Sequence, residues 1–134
     1  MLTADNDARI WLNGREVLTP INNGLWNVAQ NYTFQGDLMV LAVEIINGDG
    51  PTGLAGSFSD GSVTNQDSGW KCLAWSPPHD WNQVGFDDSS WPTAFEYVNV
   101  NSNGIPSNAK WIASSDYYAK KTFCRRDFRI SKVI

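Results

Sequence analysis

The sequence predicts an all-β fold, an antiparallel β-sandwich or jelly roll that forms a single domain over residues 1–134. Short alternating or apolar segments are separated by turn-forming residues, and no segment shows the helical period. Lys and Glu, which exposed helices favour, are scarce, whereas Asn, Gly, Ser, Thr and Trp are abundant. A chain of 134 residues is one domain by length and can bury a hydrophobic core.

A β-hairpin is predicted near the start of the chain. Residues 8–12 alternate, which places Trp11 on the face opposite the aliphatic side chains. Asn13 and Gly14 separate this run from a second short strand at 15–18. Asn-Gly between two such runs indicates a type I′ turn, because both central residues of that turn need a positive φ.

Further strands follow from apolar runs that are bounded by turn residues. Residues 37–46 are almost continuously apolar and rich in Val and Ile, which predicts a central buried strand. The remaining strands are predicted at residues 54–58, 70–75, 94–100, 110–113 and 117–130, with turns at 47–51, 60–61, 87–92 and 101–108. In the last strand the apolar residues change face after Phe123, which predicts a β-bulge near residues 125–127.

Charge and hydropathy exclude several classes of partner. The net charge is −4, and the one basic run, at 120–129, is interrupted by Asp127, so neither nucleic acid nor an anionic membrane surface is expected to bind. The longest apolar run, within 38–46, is far shorter than the ~20 residues that span a bilayer, so membrane insertion is not expected.

No catalytic constellation is recognisable, and the chain is predicted not to be an enzyme. A nucleophile–His–acid system would have to use His79, which follows two prolines and is expected in a loop. Asp87 and Asp88 form the best carboxylate pair for glycoside hydrolysis, but adjacent residues of a strand point in opposite directions. A Gly-rich phosphate loop after a strand is also lacking.

The two cysteines, Cys72 and Cys124, are too few for a zinc site and are not spaced as a C-x-x-C pair. Each lies in a predicted strand, and the composition is typical of extracellular proteins. A disulfide is therefore favoured over two buried thiols. In the chain-entropy model a bridge of this loop length stabilises the fold by roughly 4 kcal/mol.

Several short motifs together resemble galactose-binding-like β-sandwich modules. They are ADNDA at 4–8, WLNGREV at 11–17, LAVE at 41–44, PTGLA at 51–55, TNQDSGWK at 64–71, FDDSSWPTA at 86–94, WIA at 111–113 and FCRR at 123–126. Such modules accompany secreted glycosidases, notably bacterial α-rhamnosidases, and recur in extracellular adhesive proteins. The resemblance implies a secreted protein that binds rather than converts its ligand.

The order of these motifs departs from that family. In the glycosidase modules the segment similar to residues 111–126 comes first, whereas here it comes last. Three explanations are open: a circular permutation, a piece cut from a tandem array, or a C-terminal strand that completes a neighbouring subunit. Strand addition repeated head-to-tail would produce an open filament.

The seven tryptophans divide into two groups. Trp70, Trp91 and Trp111 lie in the resembled motifs and are expected in the core. The predicted carbohydrate-binding residues are Trp11, Trp26, Trp75 and Trp81, which have less reason to be buried. Exposed aromatic faces stack on the apolar faces of sugars, although the same side chains could instead pack at the rim of the sandwich.

Two further sites are predicted. Asn31, in the sequon Asn31-Tyr32-Thr33, is a candidate for N-glycosylation in a secreted protein. Modules of the resembled type often hold a structural calcium ion between loops, for which Asp5 and Asp7 are candidate ligands; a solvated strand start is the alternative. No other cofactor is expected.

Two functions are compatible with these features. The first is a non-catalytic, extracellular module whose partners are glycans. The second is a structural protomer of an extracellular filament or adhesive matrix, whose partners are identical subunits joined head-to-tail by β-strand complementation.

Overall fold

The computed structural model describes residues 1–17, 29, 31–33, 36–48, 50–99 and 105–128. These residues form two antiparallel sheets and contain no helix, which confirms the predicted all-β sandwich. The strands are β1 Leu2–Asp5, β2 Asp7–Leu12, β3 Arg15–Val17, β4 Val40–Ile46, β5 Gly53–Gly56, β6 Trp70–Leu73, β7 Phe95–Asn99, β8 Lys110–Ala113 and β9 Lys121–Asp127. The sheets have the strand orders β1-β5-β8-β7 and β3-β2-β4-β9-β6.

The predicted N-terminal hairpin is present as β2 and β3. Its turn residues Asn13 and Gly14 have φ values of 52° and 84°, as a type I′ turn requires. The Asn13 side chain also accepts hydrogen bonds from the backbone N–H groups of Met39 and Val40, at 2.7 and 3.0 Å. The turn therefore anchors the hairpin to the start of β4.

Strand β4 is the predicted central strand, paired with β2 on one side and β9 on the other. Leu41, Val43 and Ile45 point into the core between the two sheets, where they join a fully buried Trp70 and Ile112. Ala42 points to the opposite face and is also fully buried. Burial on both faces explains why β4 is apolar at every position except Glu44 rather than alternating.

Two features of the chain termini differ from the sequence prediction. Strand β1 pairs with β5 and was not expected, because four residues are too few to show a period. The last strand begins at Lys121 rather than at residue 117, since residues 116–119 form a turn closed by a hydrogen bond from Ala119 N–H to the Asp116 carbonyl.

The β-bulge predicted near residues 125–127 is wrong. The pairing of β9 with β4 runs without a shift from Val40 opposite Asp127 to Ile46 opposite Lys121. Apolar residues occur on both faces of β9 because both faces are covered. A register irregularity occurs instead in β7, between residues 96 and 98.

A second layer covers part of the outer face of the five-stranded sheet. It is formed by the segment at 74–93, whose Trp81 packs edge-on against Trp11 and against Phe123, with ring centroids 5.4 Å apart in both cases. Trp91 stacks on Trp81 at 6.2 Å. Ala42 and Leu73 complete this outer cluster from the sheet side.

Arg125 fixes this second layer to the sheet. Its side chain is completely buried and projects from β9 into the layer. It donates to the carbonyls of Trp81 at 3.0 Å and Gln83 at 3.2 Å and forms an ion pair with Asp88. The ammonium of Lys71 lies 3.3 Å from the same carboxylate. One buried cation thus binds three points of the covering segment.

The predicted disulfide joins Cys72 to Cys124. These residues face each other across β6 and β9, their Cα atoms are 4.1 Å apart, and both are fully buried. The bridge connects the edge strand β6 to the interior of its sheet.

Replacing Arg125 by methionine should destabilise the protein strongly. Arg125→Met keeps most of the volume but leaves Asp88 and two carbonyls without their buried donor, so we expect the free energy of unfolding to fall by about 3–5 kcal/mol. Urea unfolding followed by tryptophan fluorescence measures this. Arg9→Met is the matched control, because Arg9 is exposed where it pairs with Glu16, and its change should be far smaller.

Removing the disulfide should also be costly. The bridge spans 52 positions, so Cys72→Ala with Cys124→Ala should lower the free energy of unfolding by about 4 kcal/mol through the larger entropy of the unfolded chain. Urea unfolding of the double variant and of the oxidised parent gives the difference. A loss close to zero would contradict a net stabilisation of this size by the bridge.

Candidate functional site

The four tryptophans predicted to bind sugar lie in different environments. Trp75 is 64% exposed, as expected. Trp11 and Trp81 are 8% and 6% exposed, so the expectation that they present open faces is wrong. Trp11 does lie opposite the aliphatic residues of β2, but that face is covered by the segment at 74–93. Trp26 lies outside the described residues.

A cleft of about 600 Å³ opens between the two sheets at one end of the sandwich. It is bordered by the start of β1, the end of β2, the start of β4 and the residues that follow β5 and β9. Its described lining consists of Met1, Leu2, Leu12, Asn31, Tyr32, Gly36, Asp37, Leu38, Leu41, Ser57, Phe58, Ser59, Asp60 and Phe128. This volume is in the range of small-molecule sites.

Aromatic rings form much of the apolar lining. Phe58 and Phe128 meet edge-to-face with centroids 5.7 Å apart, and Phe58 rests on the buried Trp70 at 5.9 Å. The guanidinium of Arg126 lies 4.1 Å from the Phe128 ring centroid. Tyr32 is half-buried, and burial raises its pKa to about 12. These rings are therefore held by contacts with the core.

Asp60 is the most firmly oriented polar group of the cleft. Its Oδ1 atom accepts hydrogen bonds from the backbone N–H and the hydroxyl of Ser62, at 2.9 and 2.5 Å. Its Oδ2 atom lies 3.4 Å from the Arg126 guanidinium. Burial opposes ionisation, but the Ser62 hydrogen bonds and the Arg126 charge outweigh it and lower the pKa of Asp60. The group is a fixed carboxylate acceptor.

Asn31 and Asp37 add exposed polar groups to the rim. The backbone carbonyl of Asp37 accepts a hydrogen bond from Asn13 at 3.0 Å, which ties this part of the rim to the hairpin turn. Glycosylation of Asn31 stays a prediction. A glycan attached there would stand at the mouth of the cleft.

The two predicted calcium ligands lie in different sheets. Asp5 ends β1 in the four-stranded sheet, and Asp7 begins β2 in the five-stranded sheet. Within the described residues, no three or more His, Cys, Asp or Glu side chains converge as a metal site. The calcium ion remains a prediction.

The carboxylate pair considered for hydrolysis is divided between two roles. Asp88 pairs with the buried Arg125. Asp87 is exposed, and hydrogen bonds from the Ser89 side chain and from the Ser89 N–H lower its pKa. The bond from the N–H, at 3.0 Å, closes the predicted tight turn. His79 is exposed in the segment at 74–93, as expected for a loop residue.

Comparison with protein-family models, with curated proteins and with solved structures gives no match to this chain. The two-sheet architecture is compatible with the resembled β-sandwich modules. None of the described residues belongs to a helix long and apolar enough to cross a membrane.

Sequence reasoning did not find the cleft. Its aromatic residues Tyr32, Phe58 and Phe128 come from three distant segments, and no local pattern connects them. Asp60 was recognised as a turn residue, and the turn is present, with Gly61 at a φ of 88°. The proximity of that turn to the end of β9 depends on the tertiary fold.

Tyr32 should ionise late in an alkaline titration. The pKa of Tyr32 is raised to about 12 in the folded protein, whereas an unfolded tyrosine ionises near pH 10. The stability due to its burial is therefore present below about pH 10 and is lost as the pH rises towards 12. Tyr97 also ionises late because burial raises its pKa, so ultraviolet titration of Tyr32→Phe should show a late component reduced by one tyrosine, and Tyr118→Phe, an exposed control, should retain it in full.

Proposed function

We propose that this protein is a non-catalytic, extracellular carbohydrate-binding module of the galactose-binding-like, jelly-roll type, and that the cleft is its binding site. The observation that carries the proposal is the convergence of aromatic rings and oriented polar groups on a cleft of about 600 Å³. Comparable sites in proteins combine an apolar lining with a few well-placed polar groups.

The chemistry of the lining suits a sugar. A pyranose ring has apolar C–H faces that pack on aromatic rings such as Tyr32 and Phe58, and equatorial hydroxyls that donate to carboxylates. Asp60 is already held by Ser62 and Arg126, so little entropy is lost when it accepts such a hydroxyl. Asp37 supplies a further carboxylate group at the rim.

The lowered pKa of Asp60, the oriented carboxylate of the cleft, favours a binding role over hydrolysis. A glycosidase needs one carboxylic acid whose pKa is raised so that it can protonate the leaving group. The pKa of Asp60 is lowered, which makes it a poor proton donor near neutral pH.

An extracellular location is supported by the disulfide, since such bridges persist mainly in oxidising compartments. The filament hypothesis has less support. It was motivated by a long C-terminal strand in need of a partner, and residues 121–127 pair with β4 and β6 of the same chain.

A glycan array with the oxidised protein, followed by calorimetry with the best ligand, tests the proposal. Tyr32→Ala should weaken binding by about tenfold, because one stacked ring contributes roughly 1 kcal/mol or more. Asp37→Ala, at the exposed rim, should weaken it less. The matched control is Trp75→Ala, which removes an exposed ring outside the cleft and should leave the affinity unchanged.

The proposal would be overturned if the folded protein bound no glycan. Loss of binding in Trp75→Ala with full binding in Tyr32→Ala would place the site on the segment at 74–93 and would contradict the cleft. Thermal melts of both variants are needed to show that they are folded.

A further inference from the structure

A second surface, on the outer face of the four-stranded sheet, carries a group of aromatic rings that the cleft does not use. We call it the tyrosine patch, and it consists of Phe95, Tyr97, Tyr117 and Tyr118. Tyr117 lies nearly parallel to Phe95 and to Tyr97, with centroids 5.7 and 5.1 Å apart. Tyr118 packs against Tyr117 at 5.0 Å. Phe95 is 40% and Tyr118 61% exposed, so the patch faces solvent.

The patch is anchored at the start of β5. The Tyr97 hydroxyl donates to the Thr52 carbonyl, and the Thr52 N–H donates to the Tyr117 carbonyl at 2.7 Å. Gly53 makes room for this contact, because a Cβ atom there would lie 2.6 Å from the Tyr97 hydroxyl. The rings are therefore preorganised rather than free surface side chains.

Asp5 lies on the face of the sheet that carries the Tyr97 hydroxyl. Asp5 lies directly opposite Gly53 across β1 and β5 and is half-buried. Residues directly opposite each other in an antiparallel pair project from the same face, and a Cβ atom at Gly53 would touch the Tyr97 hydroxyl, so the Asp5 side chain projects from the face that carries that hydroxyl. No ion pair between the described residues includes Asp5.

The carboxylate of Asp5 beside the rings favours a positively charged ligand. A neutral apolar ligand on the patch would further desolvate Asp5 without giving it a partner, and an anion would be repelled. An ammonium group can form a charge-assisted hydrogen bond with Asp5, while its hydrocarbon stem lies on the rings and its charge interacts with their faces.

We propose that the tyrosine patch with Asp5 is a binding site for an aliphatic primary amine of the lysine side-chain type. The ammonium group is held by the Asp5 carboxylate beside the hydroxyl of Tyr97, and the methylene stem packs on Tyr117 and Phe95. This site is separate from the cleft and does not depend on the carbohydrate proposal.

Nuclear magnetic resonance titration of the oxidised protein with Nα-acetyl-lysine amide tests the site. Amide shifts should change around Asp5, Gly53 and Tyr117 and not around Asp60. The norleucine analogue has the same stem without the charge and should bind about tenfold more weakly, since a hydrogen bond to a charged group is lost.

Variants separate the two contributions. Asp5→Asn keeps the shape of the side chain and should reduce lysine-amide affinity to that of the norleucine analogue. Phe95→Ala removes a ring on which the stem packs and should weaken both ligands to a similar extent, and Tyr32→Ala in the cleft should change neither. Equal affinity for both ligands, an unchanged Asp5→Asn, or shifts confined to the cleft would each overturn the proposal.

Discussion

The guanidinium of Arg125 is buried on the outer face of the five-stranded sheet. In place of water, its hydrogen-bond partners are the carboxylate of Asp88 and the carbonyls of Trp81 and Gln83. A buried cation is stable only when nearly all of its donors are used and its charge is balanced. The segment at 74–93 must therefore adopt one particular path across the sheet. That path places Trp81 over Trp11 and Phe123, so the apolar outer cluster and the polar contact require each other.

Alternation along a strand predicts which side chains share a face, but not whether that face is exposed to solvent. The sequence placed Trp11 correctly with respect to its strand, and the turn at Asn13 and Gly14 was predicted because its chemistry is local. The burial of Trp11 depends on the segment at 74–93, which lies far along the chain and covers that face of the sheet. For the same reason, the apolar residues on both faces of β9 led to the prediction of a bulge. In the fold, β9 has no bulge, and both of its faces are covered by packed layers.

The cleft and the tyrosine patch were beyond sequence reasoning for a related reason. Each is assembled from loops and strand ends that are remote in sequence, and Tyr117 was expected within a strand. In the fold, β1 connects the two surfaces. Leu2 lines the cleft and Asp5 stands at the patch, about 10 Å apart at the rise of a β-strand.

The central position of β4 also affects how the chain can be made in a cell. Its partner β2 precedes it closely, but Val43 faces Cys124, near the end of the described chain. During synthesis, β4 would leave the ribosome long before β9 exists to pair with it. An apolar, β-branched segment with an open edge is prone to intermolecular pairing. Until β9 emerges, the edge of β4 that β9 covers in the fold is therefore open to pairing with other chains.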